Sequence, residues 1–179
     1  MLRRLAGSLG LSYAQHSATN PLDRFAWEIS GKHDGREVKL ARVPQSFMGR
    51  EMPWGGAATI AASCAVPERL SVSIRRRWDE PGGPGEPIPV PGLENLVACG
   101  AGGALDLGRL GRLAVMDVLT MEGPVQAGIE IKEGRVRLYY DLGSPVLNFH
   151  PPFVERALRA TVELADMIQS GRATKRPAE

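Results

Sequence analysis

The sequence predicts an α+β fold, in which an antiparallel sheet of about five to seven strands carries two helices, near residues 106–119 and 152–170, on one face. Three observations predict this class. Several segments alternate apolar and polar residues around short turns, one long amphipathic segment lies near the end of the chain, and the apolar fraction is 43%. The length of 179 residues fits a single domain over residues 1–170, followed by a polar tail, 171–179, that we expect to be disordered.

Two of the predicted hairpins turn at a glycine. The segment FAWEISGKHDGREVKLARV turns at Asp34-Gly35, and GIEIKEGRVRLYY turns at Glu133-Gly134. Glycine supplies the positive φ that a primed turn requires. Each segment therefore predicts two strands with one apolar and one polar face, and a sheet that is covered on one side only. The similarity of the two segments leaves an internal duplication open, because turn chemistry alone gives the same pattern.

A third hairpin is predicted within AATIAASCAVPERLSVSIRRR. Its first strand places Ile60 and Cys64 on one face, Pro67-Glu68 begins the turn, and Val72 and Ile74 return along the partner strand. The letters ENLVA, which begin at Glu94, predict a further strand. A short helix is predicted over residues 2–9, ended by Gly10.

The clearest element is the last helix, written HPPFVERALRATVELADMIQSG. Prolines fit its first turn, Gly171 fits its C-terminal cap, and an apolar stripe runs along one side. The stripe consists of Val154, Leu158, Thr161, Ala165 and Ile168. The helix over 106–119 is predicted to be capped by Asp106 and weakened by Gly108 and Gly111, which are kept where another backbone comes close.

Residues 79–92, DEPGGPGEPIPVPG, are predicted to form a solvent-exposed loop inside the domain. Its prolines and glycines are incompatible with a helix or an inner strand. The length of the loop leaves both a binding role and disorder open.

The glycine-rich stretch 93–113 resembles a phosphate-binding loop but fits neither nucleotide template. In the P-loop register, Gly103 to Gly108 is followed by Arg109 and Leu110, where a lysine and a hydroxyl are needed. In the dinucleotide register, Leu105 occupies the third glycine position. We therefore expect no nucleotide and no other cofactor.

No set of residues in the sequence predicts catalysis or metal binding. His16, His33 and His150 have no second ligand at local metal spacing, and Cys64 and Cys99 are expected to be reduced and buried. The net charge of +2 is too small to indicate a nucleic acid partner. The chain shows neither a signal peptide nor an apolar run long enough to span a membrane, so a cytoplasmic location is expected.

The sequence therefore favours a non-catalytic protein-interaction or scaffolding module of a bacterial type, which binds another protein. The preferred partner-binding residues are Phe47, Met48, Met52 and Trp54, which lie together in the connection 44–56. The competing surface is electrostatic and consists of Arg75, Arg77 and Trp78, on a sheet face expected to be solvated.

Two other functions stay open from the sequence. The first is a carrier that holds a small apolar ligand between the sheet and the last helix. The second is an enzyme whose site is assembled only by the fold. The identity of the partner and the oligomeric state are not predicted.

Overall fold

The computed structural model of the chain describes residues 1–15, 27–47, 50–65, 71–76, 87–100, 105–120, 126–143 and 145–171, and for 43–47, 50–57, 76, 145 and 146 it describes the backbone alone. Within these ranges, nine strands form one antiparallel sheet. They are β1 (Ser12–Gln15), β2 (Trp27–His33), β3 (Arg36–Phe47), β4 (Arg50–Ser63), β5 (Val72–Arg76), β6 (Ile88–Val90), β7 (Leu93–Gly100), β8 (Gln126–Lys132) and β9 (Arg135–Asp141). Their order across the sheet is β1-β2-β3-β4-β9-β8-β5-β7-β6. The predicted α+β class is confirmed, but the predicted number of strands is too low.

One face of the sheet carries the core, and we call it the inner face. A row of paired residues crosses all nine strands on this face: Ile88, Ala98, Ile74, Ile129, Leu138, Ile60, Leu40, Ile29 and Tyr13. The seven members between the two ends are at most 2% exposed. Because side chains alternate along a strand, this register places the apolar half of each strand in one continuous core.

The two hairpins predicted at glycine turns are both present. Asp34 and Gly35, between β2 and β3, have φ values of 50° and 80°, and Glu133 and Gly134, between β8 and β9, have 51° and 71°. Positive φ at both central residues defines the primed turn, whose twist matches that of the strands it joins.

The last helix, α5 (Pro151–Gln169), is also present as predicted. His150 is its N-cap and prolines occupy its first turn, while Gly171 follows its C-terminal end with a φ of 69°. Every residue of the predicted stripe is buried: Val154, Leu158, Thr161, Ala165 and Ile168. The stripe lies across β4 and β9, at the centre of the sheet.

Shorter helices complete the same side of the sheet. The predicted N-terminal helix is α1 (Leu2–Ser8), which buries Leu5 and Ala6 against β1 and β2. Between β9 and α5 lies α4 (Pro145–Asn148). Asn148, 1% exposed, donates from Nδ2 to Asp141 Oδ1 at 3.1 Å, and its backbone carbonyl accepts from the Tyr140 hydroxyl at 2.9 Å. These buried hydrogen bonds fix α4 to the end of β9.

The single helix predicted over 106–119 is two helices, α2 (Leu107–Leu110) and α3 (Ala114–Thr120). Asp106 caps α2 as predicted, because its Oδ1 accepts from the Arg109 N–H at 3.1 Å. The break falls at Gly111. A Cβ atom at this position would lie 3.1 Å from the Pro91 carbonyl oxygen, so the turn between β6 and β7 comes close to the helix here. The predicted close approach is thus found at Gly111 and not at Gly108.

The predicted hairpin between Ile60 and Ile74 is wrong in its pairing. Val72 and Ile74 are buried in a strand as expected, but β5 pairs with β7 and β8. β4 pairs instead with β3 and β9. The alternation of a strand specifies which face is apolar but does not specify its neighbour, and in this sheet distant segments supply the neighbours.

The predicted loop 79–92 also needs correction, because its last part contains β6. Pro89 has no N–H to donate, but β6 is at the edge of the described sheet, where β7 is its one described neighbour, and proline is tolerated at such an edge. Residues 79–86 of this prediction lie outside the described residues, as does most of the predicted tail, 172–179.

Candidate interaction surface

The two longest strands of the described sheet, β3 and β4, continue together past their neighbours. β3 pairs with β2 only as far as Ala41, and β4 pairs with β9 only from Ala58. Beyond these points, the pairs from Val43↔Ala57 to Phe47↔Arg50 join β3 and β4 to each other and to no other described strand. At about 3.4 Å per residue, this two-stranded arm extends roughly 15 Å past the sheet. We call residues 43–47 and 50–57 the arm.

The arm contains an irregularity on its β4 side. Pro44 lies opposite Gly56, whereas the next residue of β3, Gln45, lies opposite Met52. Residues 53–55 therefore have no counterpart on β3, and Trp54 is at the centre of this bulge. A bulge bends its strand and redirects the side chains on it, and such features occur next to functional sites.

The preferred partner-binding residues of the sequence belong to this arm. The backbone of Phe47, Met52 and Trp54 belongs to the arm. The structure describes neither the side chains of the arm nor Met48. The sequence predicted a connection over 44–56, but the structure has the paired ends of β3 and β4 there. These strand ends accommodate Pro44 and Pro53 because, among the described strands, each has a neighbour on one side only. The sequence signal for a hairpin that the prediction missed is Met48-Gly49. These two residues, one of them a glycine, separate the paired Phe47 and Arg50.

The competing electrostatic surface changes in the structure. Arg75 was expected on a solvated face, but its side chain is only 4% exposed, and its Nη2 lies 3.9 Å from the Cys99 sulfur. Val97 and Cys99 are buried on this same face of β7. At the β5–β7 end, the sheet is therefore covered on both faces, and the prediction of a sheet covered on one side only is wrong there. Arg77 and Trp78 lie outside the described residues.

On the other half of the sheet, the face opposite the core is open, and we call it the outer face. A cavity of about 390 Å³ lies over β2, β3 and β4, and Lys32, Glu37, Lys39, Ala61, Ser63 and Arg135 are among its lining residues. Its floor is low because the outward residues of β4, Ala61 and Ser63, are small. We call this feature the β4 groove.

Two titratable side chains in the core, Cys64 and Tyr140, have raised pKa values and donate hydrogen bonds to the backbone. Burial raises the pKa of the Cys64 thiol, the nearby Arg36 opposes that rise, and the thiol donates to the Ala165 carbonyl at 3.3 Å. Burial also raises the pKa of Tyr140, which therefore stays protonated and donates to the Asn148 carbonyl. Both expected free, buried cysteines are found.

Arg36 joins the sheet to the end of the last helix. Its Nε is 2.6 Å from Asp166 Oδ1, and its Nη1 donates to the Ser63 carbonyl at 2.6 Å and to Gln169 Oε1 at 2.9 Å. Gln169 Oε1 also accepts from the Ala65 N–H. These contacts occupy the guanidinium in holding α5 against β4.

The two histidines that the structure describes, His33 and His150, lie on different elements. His33 ends β2, where its Nε2 lies 3.7 Å from Asp34, and His150 begins α5, whereas His16 lies outside the described residues. Among the described residues, no group of three or more histidine, cysteine or acidic side chains is arranged to hold a metal ion. Over the same ranges, no helix has both the length and the apolar character needed to cross a bilayer.

One glycine of the glycine-rich stretch, Gly100, is required by the packing of the sheet. Gly100 ends β7 with a φ of 101°, and a Cβ atom there would lie 2.3 Å from the Ser71 carbonyl oxygen. Gly102 and Gly103 lie outside the described residues.

We predict that this stretch binds no nucleotide, because both phosphate-loop templates fail at Leu105, Arg109 and Leu110. Isothermal titration of the protein with ATP and with NAD is expected to give no saturable heat. Saturable binding that is lost on replacing Gly103 or Gly108 would contradict the prediction.

Comparisons with known proteins bear on the fold. No protein-family model matches the chain, and no curated protein matches it. Among solved structures, the crystal structure of the mycobacterial trehalose monomycolate transport factor A, TtfA, is similar, with a TM-score of 0.57. The alignment covers 93% of this chain and 92% of that one, at 16% sequence identity. At this identity, the similarity shows a shared fold.

Proposed function

We propose that this chain is a non-catalytic accessory module that binds another protein through the arm of β3 and β4. The observation that carries the proposal is the arm itself. It leaves the sheet as a strand pair that no other described strand flanks, and its sequence holds Phe47, Met52 and Trp54.

Two physical properties make such an arm suited to a partner. Its outer backbone edges carry N–H and C=O groups to which an extended segment can add as a further strand. Its aromatic and methionine residues belong to the types in which interface binding energy concentrates. The arm thus combines a backbone edge with side chains fit to anchor a partner.

The alternative of an apolar-ligand carrier finds no support in the described residues. The ligand would need room between the sheet and α5, but there the two layers are in direct contact. The Tyr140 and Phe153 rings pack edge to face at 4.9 Å, and the Cys64 thiol reaches the backbone of α5. TtfA is by its name a transport factor, which is compatible with an accessory role and also with a carrier role for this chain.

An enzyme is the other alternative, and the described polar groups give it little support. Arg36 with Asp166, and Asn148 with Asp141, are engaged in contacts that hold helices to the sheet. We therefore propose that the chain catalyses no reaction.

The proposal is tested by affinity purification from the native cell, followed by quantitative mass spectrometry. We expect Phe47→Ser/Trp54→Ser to lose the main copurifying protein at least tenfold relative to the wild type. The matched control is Leu147→Ser, which removes a side chain that is 51% exposed on α4. Apolar docking is also expected to survive a change from roughly 0.1 M to 1 M salt, which shortens the screening length from about 10 Å to about 3 Å.

The outcome that contradicts the proposal is equally specific. If the arm variant keeps its thermal stability and every copurifying protein, the arm does not bind the partner. Equal loss from the arm variant and from Leu147→Ser would also contradict it.

A further inference from the structure

The β4 groove lies on the outer face between two rows of long side chains. Ala61 is paired with Lys39 of β3 on one side and with Arg137 of β9 on the other. Because neighbouring strands are about 4.8 Å apart, these flanking rows are separated by roughly 10 Å. A floor with short side chains between longer ones leaves room for a single extended chain.

The groove is short along β4 and continues across the neighbouring strands. Its outward β4 residues, Ala61 and Ser63, are about 7 Å apart, which is the rise of two extended residues. Across the strands, the lining continues over Lys39 of β3 to Lys32 of β2, and Arg135 of β9 borders the other side. An occupant therefore contacts the groove through only a few residues.

The charges around the groove are mostly positive. Five basic residues are present on the outward positions of β2, β3, β8 and β9: Lys32, Lys39, Lys132, Arg135 and Arg137. The acidic residues on the same strands are Glu28, Glu37, Glu130 and Asp141, and Asp141 is buried at the far end of β9, where it accepts from Asn148. Lys39 is ion-paired with Glu28, and Glu130 lies 3.1 Å from Arg137 and 3.8 Å from Lys132.

The positive charge is concentrated at the Ser63 end. Lys32 lies opposite Glu37 in the register, whereas Arg135 lies opposite Ser63 on one side and opposite another base, Lys132, on the other. Within the described part of the chain, Arg135 has no ion pair. The Ser63 Oγ accepts from the Glu37 N–H at 3.1 Å, which leaves its own hydrogen to donate, and Arg135 is its register partner on β9. An arginine next to a hydroxyl is suited to a carboxylate.

We infer that the β4 groove binds an acidic, extended segment of a protein partner, with a carboxylate against Arg135 and Ser63. The inference that the partner is a protein rests on the proposed function. The groove is nevertheless tested separately from the arm. An extended segment whose backbone lies on the small floor directs alternate side chains to opposite walls, so acidic residues at every second position all reach the β9 wall that carries Arg135.

The probe for the test is a fluorescein-labelled peptide, acetyl-(Glu-Ala)4, with acetyl-(Lys-Ala)4 as the charge-reversed control. Fluorescence anisotropy at about 0.05 M salt is expected to show saturable binding of the glutamate peptide alone. Arg135→Glu, which changes an exposed residue, and Ala61→Leu, which raises the floor, are each expected to weaken binding at least tenfold. Arg112→Glu, on an exposed residue beside α2, is the matched control and should change binding less than twofold.

Each result decides the inference. Absence of saturable binding by the wild type, equal binding of the lysine peptide, or unchanged binding by Arg135→Glu would overturn it, even if Ala61→Leu did not fold. Binding of citrate at least as tight as that of the peptide would also overturn it, because the groove would then be a small-anion site. The arm variant Phe47→Ser/Trp54→Ser should bind the probe normally, so failure of the groove and failure of the arm are distinguishable.

Discussion

Leu158→Asp is expected to leave little folded protein, because it places a carboxylate at the centre of the core. Leu158 is 2% exposed on the face of α5 that covers β4 and β9. Removing the leucine side chain alone costs about 2–5 kcal/mol, and a buried carboxylate without a partner costs more. Because a domain is stable by only about 5–15 kcal/mol, the variant should unfold at or below room temperature and give a low purified yield.

The matched control introduces the same residue on the exposed side of the same helix. Arg159 is exposed, so Arg159→Asp is expected to change the melting temperature by only a few degrees. Thermal unfolding followed by circular dichroism compares the two variants. An unchanged melting temperature for Leu158→Asp would show that α5 is not integral to the fold.

Gly100→Ala is expected to lower the free energy of unfolding by about 3 kcal/mol or more. Two costs combine at this position. The φ of 101° is rarely adopted by a residue with a side chain, and the new Cβ would lie 2.3 Å from the Ser71 carbonyl oxygen. Since that oxygen belongs to the backbone that leads into β5, relief would require β5 and β7 to separate.

Gly7→Ala is the control for Gly100→Ala. Gly7 is inside α1, and no neighbouring atom lies within 4 Å of the Cβ position, so alanine should stabilise the helix by up to about 1 kcal/mol. Urea denaturation measures both changes. A loss below about 0.5 kcal/mol for Gly100→Ala would contradict the assignment of this glycine to a backbone contact.

The features that could be predicted from the sequence are those determined by local chemistry. Asp34-Gly35 and Glu133-Gly134 specify primed turns because glycine readily adopts positive φ, and neighbouring Asp34 and Glu133 follow it into the same region. The stripe of α5 specifies a buried helix face because its period of 3.6 residues is kept from Val154 to Ile168. In both cases, the information lies within one short segment of the chain.

The features that could not be predicted depend on distant segments. β5 lies between β7 and β8, and nothing in the alternation of Val72 and Ile74 names these partners. The burial of Arg75 follows from the covering of a second face at one end of the sheet. β6 was missed because the prolines of 79–92 indicate a loop rather than a strand. Proline is incompatible with a central strand, but Pro89 lies in a strand at the edge of the described sheet.

The candidate site was predicted as a set of residues and not as a shape. The concentration of Phe47, Met52 and Trp54 could be read from the sequence, but the arm depends on where β2 and β9 stop pairing. The β4 groove was missed entirely. Its floor is visible in the sequence only as the small residues of AATIAAS, whereas its walls come from β3 and β9.

The most direct test of the arm as the partner-binding element is photo-crosslinking in the native cell. The photoreactive amino acid p-benzoylphenylalanine is placed at Trp54 in one variant and at Leu147 in another, and both are irradiated and analysed by mass spectrometry. We predict a covalent adduct with one cellular protein from position 54 and none from position 147, because only the arm lies in the interface. An adduct from position 147 with none from position 54, in a variant that remains folded, would contradict the proposed function.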